Sequence, residues 1–210
     1  MTSLLTIRKP TPDETPQVRH FIREMYRQYG FCKCLDAEEL TIPMLIAVES
    51  GDIVGTVGLC SAADGEMPIE YYFGFKSQEQ CDYRRDQVVE ICKLVSSSVK
   101  ASNSILVIKA LVAAICQYSF QASDLQLAYV SQKPLITRLM QRFLHISLYP
   151  LDFQVVEEKI TDYNAGYFLN TPRPIPLEIH ADDMRKVFHK LKQDIEKWVS
   201  IDLQNFSHRL

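Results

Sequence analysis

Two charges stand inside an apolar run. Between Asp86 and Ser98 the chain reads DQVVEICKLVSSS, and the β-branched residues followed by serines predict a strand. Alternation puts Val88, Glu90, Cys92 and Leu94 on one face and Val89, Ile91, Lys93 and Val95 on the other. A strand apolar on both faces is buried on both, so Glu90 and Lys93 occupy ground where charge is costly. Two arrangements meet that cost. Either each charge finds a partner in a neighbouring element and holds the sheet together, or Glu90 is a carboxyl group whose proton affinity is raised toward neutrality, poised as a base. Cys92 shares its face with Glu90, but no histidine stands near it in sequence to make it a nucleophile.

The flanking sequence supplies the elements that must place these groups. Leu4 to Arg8 predicts a first strand, and Thr11-Pro12-Asp13-Glu14 has the form of a capping box with proline at the first helical position. Val18, Phe21, Ile22, Met25, Tyr26 and Tyr29 follow at helical spacing up to Gly30. Met44 to Ser50 and Ile53 to Cys60 predict a hairpin about Gly51-Asp52, and Gly55 and Gly58 mark a bulge or a close backbone approach. The aromatics of MPIEYYFGF, 67 to 75, line a pocket or cover a sheet edge. Past the central strand, Ser102, Asn103 or Ser104 caps a helix to about Phe120 that is apolar nearly all round and therefore buried. Leu125 to Ser131 predicts a strand, and Pro134 opens a helix with Leu135, Ile136, Leu139, Met140 and Phe143 inward. That β-α-β-α order makes the strands of Glu90 and Tyr129 parallel neighbours. Weaker strands are predicted at Phe153 to Ile160 and Leu177 to His180. An amphipathic helix follows at about 182–199, carrying Met184, Val187, Phe188, Leu191, Ile195 and Trp198 on one face.

Composition narrows the field. The 210 residues are 47% hydrophobic and 23% charged, with a net charge of −3, which suits one globular domain over 1–210 and disfavours nucleic acid as a partner. No secretory leader or membrane span is evident, so a cytoplasmic protein is expected. The six cysteines, at 32, 34, 60, 81, 92 and 116, include no C-x-x-C pair. No metal site is expected, and reduced thiols are.

The order of elements matches the N-acetyltransferase (GNAT) superfamily, an α/β fold with a central mixed sheet and helices on both faces. Three segments resemble its autoinducer (acyl-homoserine-lactone) synthase and N-acyl amino acid synthase branch: FIREMYRQYGF (21 to 31), MPIEYYFGF with the later VVEICKLVS, and LQLAYVSQKPLITRLMQRF. They span about residues 20 to 150. The resemblance places Glu90 on the branch's strand glutamate and Arg23 and Tyr26 on its first-helix pair. Lys93 stands where the branch has arginine, Leu144 where it has glycine, the early tryptophan is missing, and no glycine-rich phosphate loop follows the central strand.

What the resemblance implies is acyl transfer from a phosphopantetheine thioester to an amine. Glu90 would be the base, the backbone near Leu94 or Val95 would hold the oxyanion, and Arg23, Tyr26 and Lys93 would contact substrate. The missing loop favours a donor on acyl carrier protein over coenzyme A, with no tightly bound cofactor and an amino acid as acceptor. Arg84, Arg85, Lys133, Arg138 and Arg142 would dock the acidic carrier, or else they form a solvated surface. An autoinducer synthase is the alternative within the branch. A non-catalytic acyl-ligand-binding or interaction protein is the alternative outside it.

Overall fold

The computed structural model describes residues 4–28, 44–121 and 124–203. In chain order the elements are β1 (Leu5–Arg8), α1 (Thr15–Gln28), β2 (Met44–Glu49), β3 (Asp52–Ser61), α2 (Pro68–Phe73), α3 (Ser77–Gln80) and β4 (Val88–Ser96). Then come α4 (Ser104–Gln121), β5 (Leu127–Gln132), α5 (Pro134–Leu144), β6 (Tyr149–Pro150), α6 (Ala165–Phe168), β7 (Ile175–His180), α7 (Ala181–Ile195) and β8 (Val199–Asp202). The strands form one mixed sheet in the order β6-β7-β5-β4-β3-β2-β1-β8, with β4 near its middle. As the alternation of helix and strand predicted, β4 and β5 run parallel.

Helices cover both faces. On one, α4 packs with α7 over Val54, Val57 and Val89. Gly55 makes that approach possible, since a Cβ there would lie 2.6 Å from Val107 Cγ1. Asn103 proves to be the cap of α4, its Oδ1 accepting the Leu106 N–H at 3.0 Å. On the other face, α1 buries Val18, Phe21, Ile22 and Met25 against Ile46 and Val95. It starts where the sequence pointed: the Glu14 carboxylate accepts the Thr11 N–H at 2.8 Å, and Arg8 holds that carboxyl down at about 2. Tyr29 and Gly30 of the predicted first helix, Phe31 at the end of the segment 21 to 31, and Cys32 and Cys34 lie outside the described residues.

Several expectations need correction. The hairpin turns on Ser50 and Gly51, with φ of 54° and 92°, one residue earlier than predicted, because both central positions take left-handed backbone. Phe153 to Ile160 is not a strand but irregular chain with a 3-10 turn at Glu157–Lys159. The last helix ends at Ile195 and not near 199. Trp198 is exposed, and Val199–Asp202 turns back as β8 to pair in parallel with β1. The face of α5 read as inward is in large part open: Leu135, Ile136, Leu139 and Phe143 are 63%, 41%, 41% and 39% exposed. Their helical spacing announces an apolar face but not what covers it.

Candidate active site

Pairing between β4 and β5 runs Val88↔Leu127, Val89↔Ala128, Glu90↔Tyr129 and stops there. Yet β4 continues to Ser96 and β5 to Gln132. The two strands therefore part immediately after Glu90, and a cavity of about 1000 Å³ opens between them. Its wall on the α4–α5 side is apolar, with Ile108, Ile136, Leu139, Met140 and Phe143. Its other wall carries Tyr26, Tyr72, Tyr163 and Tyr167. Asn164, buried at the start of α6, donates to the Tyr72 hydroxyl at 2.9 Å, and the Tyr167 hydroxyl donates to the Ser131 carbonyl at 3.2 Å.

A bulge sits in β4 beside the gap. Cys92 pairs with Gly58 and Val95 with Thr56, so Lys93 and Leu94 together face the single residue Val57. Lys93 takes φ 51°, and its carbonyl accepts the Thr56 hydroxyl at 2.9 Å. The extra residue reverses the alternation predicted for the second half of the strand. Leu94 packs with Val89 and Ile91 on the α4 side, while Val95 joins α1 on the face of Glu90. Lys93, 8% exposed, lines the cavity together with Leu94 and Val95.

Glu90 is 4% exposed. Its Oε2 accepts the Ile69 N–H of α2 at 2.8 Å. Burial pushes its carboxyl up to about 8, the Ile69 bond and Lys93 pulling against that and the charge of Glu70 adding to it. The same burial, with Glu90 alongside, raises the Cys92 thiol well above its ordinary value and keeps it protonated, which suits a bystander better than a nucleophile. Burial likewise raises the Tyr26 hydroxyl, which lies near Cys92, Tyr167, Tyr163 and Glu90.

The structure thus brings Glu90, Tyr26, Lys93, Leu94 and Val95 to one cavity. Arg23 is half-buried on α1, three residues before Tyr26. Lys133 lies at the cavity's edge, donating to the Asn170 carbonyl at 3.1 Å, and Arg138 and Arg142 are exposed on α5. Arg84 is exposed and bound to Asp86. Arg85 is turned inward, bonded to the Ala62 carbonyl at 2.5 Å and to Glu70 at 3.2 Å.

Glu70 was missed as a site residue by the sequence reading. Its signal was present: Pro68 at the first helical position and Glu70 at the third mark a helix start, disguised by methionine at the cap. The aromatics around it divide, Phe73 and Phe75 being buried while Tyr72 reaches the cavity and Tyr71 is exposed.

No known family and no curated protein matches this chain at the level of sequence. Solved structures match its fold. The N-acyl amino acid synthase FeeM from uncultured soil microbes aligns with a TM-score of 0.62 at 12% identity, over 91% of this chain and 99% of its own. The AHL synthase LasI aligns at 0.64 and 12%, over 90% and 96%, and the CoA-dependent acyl-homoserine lactone synthase BjaI at 0.63 and 10%, over 95% and 93%. A GNAT-family acetyltransferase from Streptococcus pneumoniae aligns at 0.55 and 12%, over 84% and 99%. The chain therefore has the GNAT acyltransferase fold. Within that fold it takes the form seen in acyl-homoserine lactone and N-acyl amino acid synthases.

Proposed function

We propose that this protein is an N-acyltransferase that moves a medium or long acyl chain from a phosphopantetheine thioester to the amine of an amino acid. The carrying observation is Glu90, a buried carboxyl group poised near neutrality where the central strands part. The thioester enters that gap, its chain lying against Ile108, Leu139, Met140 and Phe143, while the amine approaches from the tyrosine-lined wall. Ionised Glu90 takes a proton from the ammonium, directly or through water, and the free amine attacks the thioester carbonyl. The tetrahedral oxyanion collects backbone N–H donors of β4 near Leu94 and Val95. Its collapse breaks the C–S bond, and the departing thiolate takes the remaining extra proton of the attacking nitrogen, leaving amide and thiol.

Acyl carrier protein is the donor that fits best. Where β4 passes into α4, the backbone is already engaged: the Lys100 N–H on Ser97 Oγ at 3.1 Å, the Ala101 N–H on the Ser97 carbonyl at 3.1 Å, and the Ser102 N–H on the Glu49 carboxylate at 2.9 Å. The Glu49 carboxylate, reaching that segment from the end of β2, opposes the diphosphate of coenzyme A. Lys133, Arg138 and Arg142 beside the cavity suit the acidic surface of a carrier.

The test is incubation with acylated carrier protein, amino acids and, separately, S-adenosylmethionine, the ligand BjaI holds, with mass spectrometry of the products. An acyl amide of an amino acid is expected. An acyl-homoserine lactone would move the protein to the autoinducer reading, and co-purifying lipid without thioester consumption would make it a binding protein.

A further inference from the structure

We propose that Glu70 is the positioning residue of Glu90, fixing the first turn of α2 so that the Ile69 N–H stays on the base and setting a permanent negative charge beside it. The inference rests on the reading of Glu90 as the base. It starts from the donors of a six-residue helix. Pro68 has no N–H, so the amides left without a partner inside this helix start are those of Met67, Ile69 and Glu70, and the first two of them meet carboxylates. Met67 donates to Glu70 Oε2 at 2.9 Å and Ile69 to Glu90 Oε2 at 2.8 Å. Each carboxylate therefore takes one donor from the same turn, and the peptide of Pro68 links them.

The two carboxylates differ in what else they receive. Glu70 Oε1 also accepts the Ser77 N–H and hydroxyl, both at 2.7 Å, and Arg85 reaches both oxygens at 3.2 and 3.3 Å. Although Glu70 is only 1% exposed and burial works against its charge, these bonds prevail and hold its carboxyl below the usual glutamate value. Glu70 stays ionised, then, while Glu90 holds its proton until the medium is mildly alkaline. Two acids driven apart by their surroundings is the pattern of a divided role. The groups that bear electrostatically on Glu90 are Glu70 of α2, Lys93 and Cys92 of β4, Cys60 of β3, Tyr26 of α1 and Tyr167 of α6. Burial raises those thiols and phenols and keeps them neutral, so Glu70 and Lys93 are the charges among them.

Three variants test this by pH–rate profile and by ¹³C NMR titration of labelled glutamate carboxyls. Glu70→Gln removes the charge and keeps an acceptor; the acid limb and the Glu90 titration should both move to lower pH, with plateau kcat within a few fold of the parent. Glu70→Ala also frees the turn, and plateau kcat should fall by about a hundredfold with little change in donor KM. Arg85→Gln breaks the same ion pair but leaves Glu70 in place, so it should lower the melting temperature without moving the limb. The proposal is overturned if Glu70→Gln leaves the Glu90 titration unmoved or raises it, or if Arg85→Gln shifts it equally. Should no thioester be consumed at any pH, the acyltransferase reading fails, and the NMR titration still decides the relation between the two carboxyls.

Discussion

At Glu90 the demands of base catalysis and of folding oppose one another, which makes the residue testable on two axes. Glu90→Gln preserves volume and can still accept the Ile69 N–H, but it cannot take a proton from an amine; acyl transfer should fall by about 10²–10⁴-fold. Its effect on stability has the other sign. Because the folded-state carboxyl lies near 8 against an ordinary 4.5, its favourable contribution is complete below the ordinary value and is lost as pH rises through the folded one. A glutamine has no such loss, so the variant should gain on the order of 3 kcal/mol at pH 7, seen as a higher melting temperature whose advantage shrinks on acidification. A structural ion pair would give the reverse, a loss of about 3–5 kcal/mol with transfer intact. In the parent protein, kcat/KM should rise with pH along a single limb near 8 in free enzyme, since the base works only when ionised.

The bulge in β4 is what turns a strand residue into a site residue. Lys93 adopts φ 51°, where a side chain is strained, and its cation lowers the proton affinity of Glu90. Lys93→Gly should take up the same backbone readily but raise the Glu90 titration, moving the acid limb of the rate profile to higher pH. Deleting Lys93 should remove the bulge and spare the fold, because the shortened strand's alternation still sets Leu94 beside Val89 and Ile91 and Val95 on the face of Glu90; lowered activity with cooperative unfolding retained in a denaturant titration is expected. Across the sheet, Gly55→Ala would drive a methyl group into Val107. Overpacking of that kind costs about 1–3 kcal/mol.

The molecule as a whole presents an unusual surface on α5, where Leu135, Ile136, Leu139 and Phe143 stay partly exposed beside Lys133, Arg138 and Arg142. Ile136, Leu139 and Phe143 also line the cavity, so one helix can meet both an acyl chain and its carrier. Leu139→Trp should shorten the longest chain transferred, read from the product distribution with mixed-length donors. Arg138→Glu combined with Arg142→Glu should raise KM for acyl carrier protein severalfold and weaken its salt dependence, with acyl-pantetheine turnover unaffected. Among the described residues, no helix is long and apolar enough to cross a membrane.

What the sequence determined by itself is whatever follows from local period and chemistry. The parallel pairing of the Glu90 and Tyr129 strands follows from β-α-β-α order, and the burial of Glu90 from an apolar strand on both sides of it, while Gly55 announced either a bulge or a close approach and the packing of Val107 decided for the latter. Tertiary structure decided the rest. Whether Val88-to-Ser96 keeps its alternation depends on β3, which offers one residue opposite Lys93 and Leu94, and no local pattern records a partner's register. The open face of α5 has the same spacing as a buried one, because periodicity reports an apolar side but not its neighbour. Glu70 meets Glu90 only when Ile69, 21 positions before Glu90, folds back to bond it beside Pro68, so the proton balance of the site belongs to the assembled structure and not to either residue's place in the chain.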